Sequence, residues 1–370
     1  MSTRLVHIAP ELPSTVGGVA DYTAILSQRL VEASDGTVEP VLMHAGNQPT
    51  EAIDVPFPVE DLSGECSATA LAQAIERLAA EADGRAVVLL EYSGYGYASR
   101  GAPLWLARGL RRVCGENGVP LITMFHELYA TGPPWTSTFW ISGAQRFVAA
   151  FLAQMSSTVL TNRSGSTKWV RRYAASSIPV ETKPVFSNVG EPKEGVSDRG
   201  RRSLAVVFGG GRKENVYDGC FLDLSGTLVD GGVTEMIDVG PPVPIPRQTE
   251  GTRIRKRGIL PKEEVSRILS DAQIGILYCP LDHLTKSGVM AAYLAHGVAP
   301  LIVGAQNSTD ALEKGTHFLT VKELRHHVHE GARTENLSRH VGRAGRKWYE
   351  EHAHSRRTAQ SLISLIRLIE

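Results

Sequence analysis

Short, uninterrupted apolar runs alternate along this chain with longer stretches whose apolar residues recur every three to four positions. Residues 5–9 (LVHIA), 40–44, 86–91 (AVVLLE), 120–125 (PLITMF) and 157–161 have the length and composition of buried strands. Between them, residues 21–33 carry Tyr22, Ile25, Leu26 and Leu30 at helical spacing, and 68–82, 103–114 and 143–154 read the same way. The alternation fades over 175–202, rich in Ser, Pro, Gly and charge, which places a linker near 175–195. It then resumes. Strands are expected at 204–208 (LAVVF), 234–239, 274–278 (IGILY) and 299–303, and helices at 262–270, 289–296, 337–353 and 356–369. Strand–helix alternation of this kind predicts parallel sheets covered on both faces. The fold class expected is therefore α/β, as two facing, doubly wound, Rossmann-like domains. The boundaries expected are 1–180, 181–355, and a final helix over 356–370 that crosses back to the first domain.

Composition narrows the function. The 370 residues exceed what one growing core accommodates, in keeping with two domains. Lys plus Arg and Asp plus Glu each number 39, so the formal net charge is zero. That argues against a nucleic-acid partner, which calls for a basic excess. Cys66, Cys114, Cys220 and Cys279 show no metal-ligand spacing and read as reduced thiols of a cytoplasmic protein. The first ten residues read as a strand rather than a signal peptide, and no apolar run approaches membrane-spanning length. A peripheral contact with the inner membrane face stays open.

Four places could carry chemistry. The stretch 14–22 (STVGGVADY) follows the first strand and opens a helix. Gly17 and Gly18 let backbone approach a ligand there, and a helix start favours negative charge. His126 and Glu127 end the run TMF, where a histidine can exchange a proton or hydrogen-bond a hydroxyl; a solvated loop is the plainer explanation. Gly209-Gly210-Gly211 precede Arg212 and Lys213, a planar fork and a point charge suited to a diphosphate. Asp282, Thr285, Lys286, Ser287 and Gly288 lie before or at the start of an Ala-rich helix and could hold a phosphate, although Ser287 also suits a plain N-cap. His296 near that helix's end reads as packing. Residues 221–228 (FLDLSGTL) resemble a phosphatase motif but carry Ser225 where a second acid belongs. Trp135, Phe139, Trp140, Ile141, Phe147 and Phe151 read foremost as core packing, with an acceptor groove or membrane-facing surface as the alternative. No Asp-x-Asp pair stands at a strand end, and no metal or cofactor is expected.

Taken in order, these segments resemble the bacterial glycosyltransferases of the glycosyltransferase B fold, group 1 or family 4. Residues 17–22 (GGVADY) resemble that family's G-G-[IV]-[AG]-x-[YH] start, and the strand ending at His126 its T-x-H element. Residues 258–265 (GILPKEEV) resemble its G-x-[LV]-x-x-[ED]-[ED]-[LV] segment, and 292–302 its helix followed by a G-x-P strand. The resemblance implies an acceptor-binding first domain, a donor-binding second domain and a nucleotide-sugar donor held at the cleft between them. It implies retaining, metal-independent transfer of a hexosyl unit to a saccharide or lipid-linked hydroxyl acceptor, as in polysaccharide biosynthesis. Gly17 and Gly18 would approach the donor phosphates, His126 the transferred sugar, and Arg212 with Lys213 the leaving diphosphate. The chain departs from the family at its two glutamates, which have seven residues between them, before Gly297. Leu284 and Ala292 stand about there, with Asp282 and Glu127 the nearest carboxylates. Two other functions remain: a nucleotide-sugar epimerase of the same fold, and a nucleotide-sugar-binding protein without catalysis.

Overall fold

The structure, a computed structural model, describes residues 2–369 apart from 14, 16, 50–51, 83–84, 134, 193–200, 219–220, 247–250, 305–310 and 332, and only the backbone of Ser137 and Thr138. The chain divides into two compact units. Unit 1 comprises Met1–Pro184 with Ser355–Glu370, and unit 2 comprises Val185–His354.

Unit 1 is built on a parallel sheet of β1 (Thr3–Ala9), β2 (Val38–His44), β3 (Val59–Asp61), β4 (Ala86–Tyr92), β5 (Leu121–Phe125), β6 (Thr158–Thr161) and β7 (Val180–Thr182), in the order β3-β2-β1-β4-β5-β6-β7. β1, β4 and β5 are buried nearly throughout, as strands covered on both faces are. The helices are α1 (Gly18–Ala33), α2 (Ala68–Ala80), α3 (Gly94–Tyr97), α4 (Leu104–Leu110), α5 (Ser137–Met155) and α6 (Ser164–Val170). The single helix expected over 103–114 is instead α4 followed by a π-helical turn, Arg111–Glu116. The short strand β7 lies inside the stretch read as linker.

Unit 2 repeats the plan. Its sheet runs β10-β9-β8-β11-β12-β13, all parallel, from β8 (Arg202–Phe208), β9 (Glu235–Val239), β10 (Arg253–Gly258), β11 (Ala272–Tyr278), β12 (Ala299–Val303) and β13 (Leu319–Thr320). The helices are α7 (Glu214–Tyr217), α8 (Phe221–Asp230), α9 (Lys262–Asp271), α10 (Gly288–Ala295), α11 (Val321–His329) and α12 (Thr334–His352). Val207, Met236, Ile276, Leu301 and Val341 meet in its core. The last helix, α13 (Ser355–Ile369), packs on α1 within unit 1, where Arg29 Nε donates to Ser355 Oγ at 3.0 Å.

The phosphatase-like segment is α8, a helix rather than a strand, and Asp223 lies on its solvent side. The aromatic stretch corrects the core-packing expectation. α5 turns Val148, Ala149, Leu152 and Ala153 inward, which leaves Trp140, Phe147 and, less fully, Phe139 outside; Trp140 is 76% exposed and the preceding Trp135 84%. Phe151 alone of those aromatics packs partly against the core. No helix among the described residues is long and apolar enough to cross a membrane.

Candidate functional site

In a doubly wound sheet, the crevice for a ligand opens at the carboxyl ends of the two central strands from which the chain winds outward in both directions. In unit 1 those strands are β1 and β4, and polar side chains converge there. His7, inside β1, and Glu91, near the end of β4, are both completely buried. His7 Nε2 lies 2.8 Å from Glu91 Oε1, and His126 Nε2, from the residue after β5, lies 2.6 Å from Glu91 Oε2. Ser27 of α1 closes the far end, its Oγ 2.8 Å from His7 Nδ1. Burial by itself would raise the Glu91 carboxyl, but the hydrogen bonds and charges of His126 and His7 outweigh it and hold the group down at about 2. It is a carboxylate, an acceptor only, so both Nε2 atoms donate to it.

The backbone fixes His126 as well. Its N–H donates to the Tyr92 carbonyl at 3.0 Å, and its own carbonyl accepts from Asn162 Nδ2 at 3.2 Å. Tyr22 of α1 sets its ring edge-on to the imidazole, centroids 5.0 Å apart. Burial, then the Glu91 charge, pushes the Tyr22 phenol well up, so it stays a neutral wall. Gly17 is the N-cap of α1, and a Cβ there would meet Glu11 Oε2 at 2.4 Å; Gly18 stands exposed at the helix start. Of the stretch 14–22, Ser14 and Val16 lie outside the described residues. Glu127 is exposed.

Unit 2 winds outward from β8 and β11. After β8 the chain passes Gly209, at φ +136°, into a 3₁₀ turn, Gly211–Lys213. Gly240, at φ +116°, follows β9 so closely that a Cβ on it would sit 2.1 Å from the Gly209 carbonyl oxygen. Only glycine tolerates both the backbone and the approach. Arg212 is exposed on this turn. Lys213 turns inward instead, against the expectation that it meets a diphosphate. It is only 4% exposed, and its Nζ sits 2.5 Å from Asp238 Oδ1, while Tyr217 Oη donates to Asp238 Oδ2 at 2.6 Å. A buried carboxylate needs such partners, and Lys213 therefore braces the glycine turn from beneath.

Beyond β11, Leu281–Lys286 forms a second 3₁₀ turn that leads into α10. Ser287 is the N-cap of α10 and accepts from the Met290 N–H at 3.2 Å, the plain role weighed for it. Gly288 begins the helix; Thr285 is buried, and its carbonyl accepts from Val185 N–H at 2.9 Å. Cys279, just after β11, reports on its surroundings. Burial pushes its thiol up to about 11, the Arg212 and Lys286 charges pull it down, and the Asp282 charge pushes it up. The charges of Arg212, Asp282 and Lys286 are thus all felt at one residue, just beyond the end of β11. Leu284 and Ala292 are buried and apolar. His296 Nδ1 donates to the Ala292 carbonyl (2.7 Å) and its Nε2 accepts from Ser266 Oγ (2.8 Å), and burial lowers the imidazole to about 4.

Sequence reasoning named His126 and missed its partners. His7 and Glu91 read in the sequence as strand positions. The available signal was a carboxylate closing an otherwise apolar strand, and an imidazole within another.

No family model and no curated protein matches the sequence. Solved structures do match over the whole chain. TarM is similar with a TM-score of 0.64 at 7% identity, covering 99% of each chain. Anabaena HepE, solved in complex with UDP and glucose, is similar with a TM-score of 0.61 at 13% identity, covering 98% of each. A putative UDP-N-acetylglucosamine 2-epimerase from Listeria monocytogenes is similar with a TM-score of 0.58 at 13% identity, covering 99% of this chain and 96% of that one. At such identities the likeness speaks to architecture: two Rossmann-like α/β units of the glycosyltransferase B fold.

Proposed function

We propose that the chain moves a hexosyl unit from a nucleoside-diphosphate sugar to a hydroxyl acceptor, in the synthesis of cell-surface polysaccharide or glycoconjugate. The observation that carries this reading is that the charges of Arg212 and Lys286 both act on Cys279, just after β11 at the switch point of unit 2, on the segment that leads into α10. As the sugar departs, charge develops on the diphosphate. Preorganised cations and N–H groups stabilise such a leaving group. The fold shared with HepE, whose structure holds UDP and glucose, supports a UDP-type donor.

In this reading His126 hydrogen-bonds the transferred sugar, and Gly18 leaves the N-terminus of α1 open to a ligand. Leaving-group stabilisation by Arg212 and Lys286 makes the transfer metal-independent, and the family resemblance argues for retention of configuration in a cytoplasmic enzyme. The exposed aromatic side chains of α5 support a lipid-linked acceptor or a peripheral contact with the inner membrane face.

Product analysis tests the reading. The protein is incubated with UDP-, GDP-, ADP- and TDP-sugars, with and without saccharide and lipid-linked acceptors. Glycosylated acceptor together with free nucleoside diphosphate is the expected result. An isomerised nucleotide sugar formed without acceptor indicates the epimerase reading, to which the Listeria likeness lends support. Donor binding with no product on any acceptor indicates a binding protein, the outcome that apolar Leu284 and Ala292 favour.

A further inference from the structure

Ser27, His7, Glu91 and His126 form one continuous hydrogen-bonded chain from the buried face of α1, through β1 and β4, to the loop after β5. The first three side chains are fully enclosed and cannot meet a ligand. His126 is the only member that reaches the surface, at 8% exposure. A carboxylate sunk in the middle of a sheet is costly unless donors satisfy it, and an all-apolar alternative would pack here more cheaply. The chain is therefore placed to act on His126.

Proton accounting shows how. Glu91 accepts at both oxygens, so each imidazole carries hydrogen on Nε2. Ser27 then donates to His7 Nδ1, which completes the inner half. On His126 the remaining ring nitrogen, Nδ1, has no hydrogen-bond partner among the described residues. We propose that Glu91, with His7 behind it, is a positioning residue: it locks the ring of His126 with hydrogen on Nε2 and presents Nδ1 as the hydrogen-bonding atom for a ligand hydroxyl. The second bond, to His7, fixes the carboxylate plane, so that Glu91 cannot rotate away from His126.

The test begins with the ring itself and does not depend on turnover. Long-range ¹⁵N–¹H correlation of the ¹⁵N-histidine-labelled full chain at neutral pH reports the protonation of each ring nitrogen. His126 and His7 are expected to show a protonated Nε2 and an unprotonated Nδ1. A His126 with hydrogen on Nδ1 alone overturns the proposal, whether or not any variant folds. In Glu91→Gln the amide nitrogen must face one of the two Nε2 atoms, and at least one imidazole is expected to change tautomer or lose its single ring orientation. Two unchanged imidazoles in folded Glu91→Gln also overturn it. A kinetic arm rests on the glycosyl-transfer reading. There, kcat for Glu91→Gln is expected to fall about 100-fold, the scale of a misplaced contact, with nucleoside-diphosphate affinity unchanged. An unaltered kcat beside an altered ring contradicts the role of Nδ1, whereas no turnover in the parent chain contradicts the transfer reading and leaves the ring result standing.

Discussion

Glu91 in β4 and Asp238 in β9 are both buried carboxylates near the carboxyl ends of their sheets, yet their surroundings differ in kind. Asp238 meets the Lys213 ammonium and the Tyr217 hydroxyl, and all three are enclosed. The charges cancel inside the protein, and the result is a rigid seat for the Gly209–Gly211 turn. Glu91 meets two imidazoles, and one of them opens to the surface. The same costly element, a carboxylate out of water, thus braces a loop in unit 2 and orients a chemically versatile side chain in unit 1. A buried ionisable group becomes a sign of chemistry when its chain of partners ends in something a ligand can touch.

Removing the Asp238 carboxylate should have the largest effect. Asp238→Ala leaves an ammonium buried without its counter-charge and is expected to cost about 3–5 kcal/mol, read as an earlier urea transition. Lys213→Met combined with Asp238→Leu should recover much of that loss, because the frame needs filling rather than charge. An Asp238→Ala variant as stable as the parent would remove the ion pair from its framing role.

A second contrast is in pH dependence. Burial keeps His296 neutral down to about 4 in the folded chain, whereas an unfolded histidine takes its proton near ~6.5. Protons therefore bind the unfolded state preferentially between those values. The stability this group contributes is complete above ~6.5 and declines as pH falls toward 4, by up to about 3 kcal/mol. Glu91, held at about 2, retains its contribution above the ordinary carboxylate range and loses it as pH drops through that lower value. Urea unfolding at stepped pH should show the first slope, and His296→Gln should flatten it between pH 4 and 6.5. A slope unchanged in that variant would assign the titration elsewhere.

At the end of the unit 1 array that reaches the surface, His126→Ala is expected to lower kcat by about 100-fold or more, with nucleoside-diphosphate affinity little altered. Full turnover would make the whole array structural. The smallest effect on stability is expected at α5. Trp140→Ser should change it by less than about 0.5 kcal/mol, as surface substitutions do, while reducing sedimentation with anionic lipid vesicles. Unchanged sedimentation would separate α5 from any membrane contact.

The fold was legible where burial dictated composition. β1, β4, β5, β8 and β11 are strands whose apolar runs have one reason to exist. β10 was not: its sequence RIRKRG has no apolar run to mark it, since an edge strand exposes most of its side chains. In α5 the apolar positions were legible, but not which face would meet the core; Trp140, Ala144, Phe147 and Phe151 share one helical stripe, and Val148 and Leu152 take the other. At the site, His126 and Arg212 stood beside recognisable turns. Lys213 looked equivalent to Arg212 in sequence, and only the buried Asp238, 25 residues on, separates their roles. His7 and Glu91 come from strands far apart in the chain, and their partnership exists only once β1 and β4 pair.

Under the proposed function, the carboxyl edge of unit 2 grips a nucleoside diphosphate through Arg212 and Lys286. Calorimetric titration of UDP, GDP, ADP and TDP into the full chain tests it most directly. At least one diphosphate should bind, and Arg212→Ala or Lys286→Ala should each weaken it by about 1–3 kcal/mol, the worth of a charge-assisted hydrogen bond, with Tm of the unliganded protein unchanged. Binding of equal strength in both variants would contradict the claim.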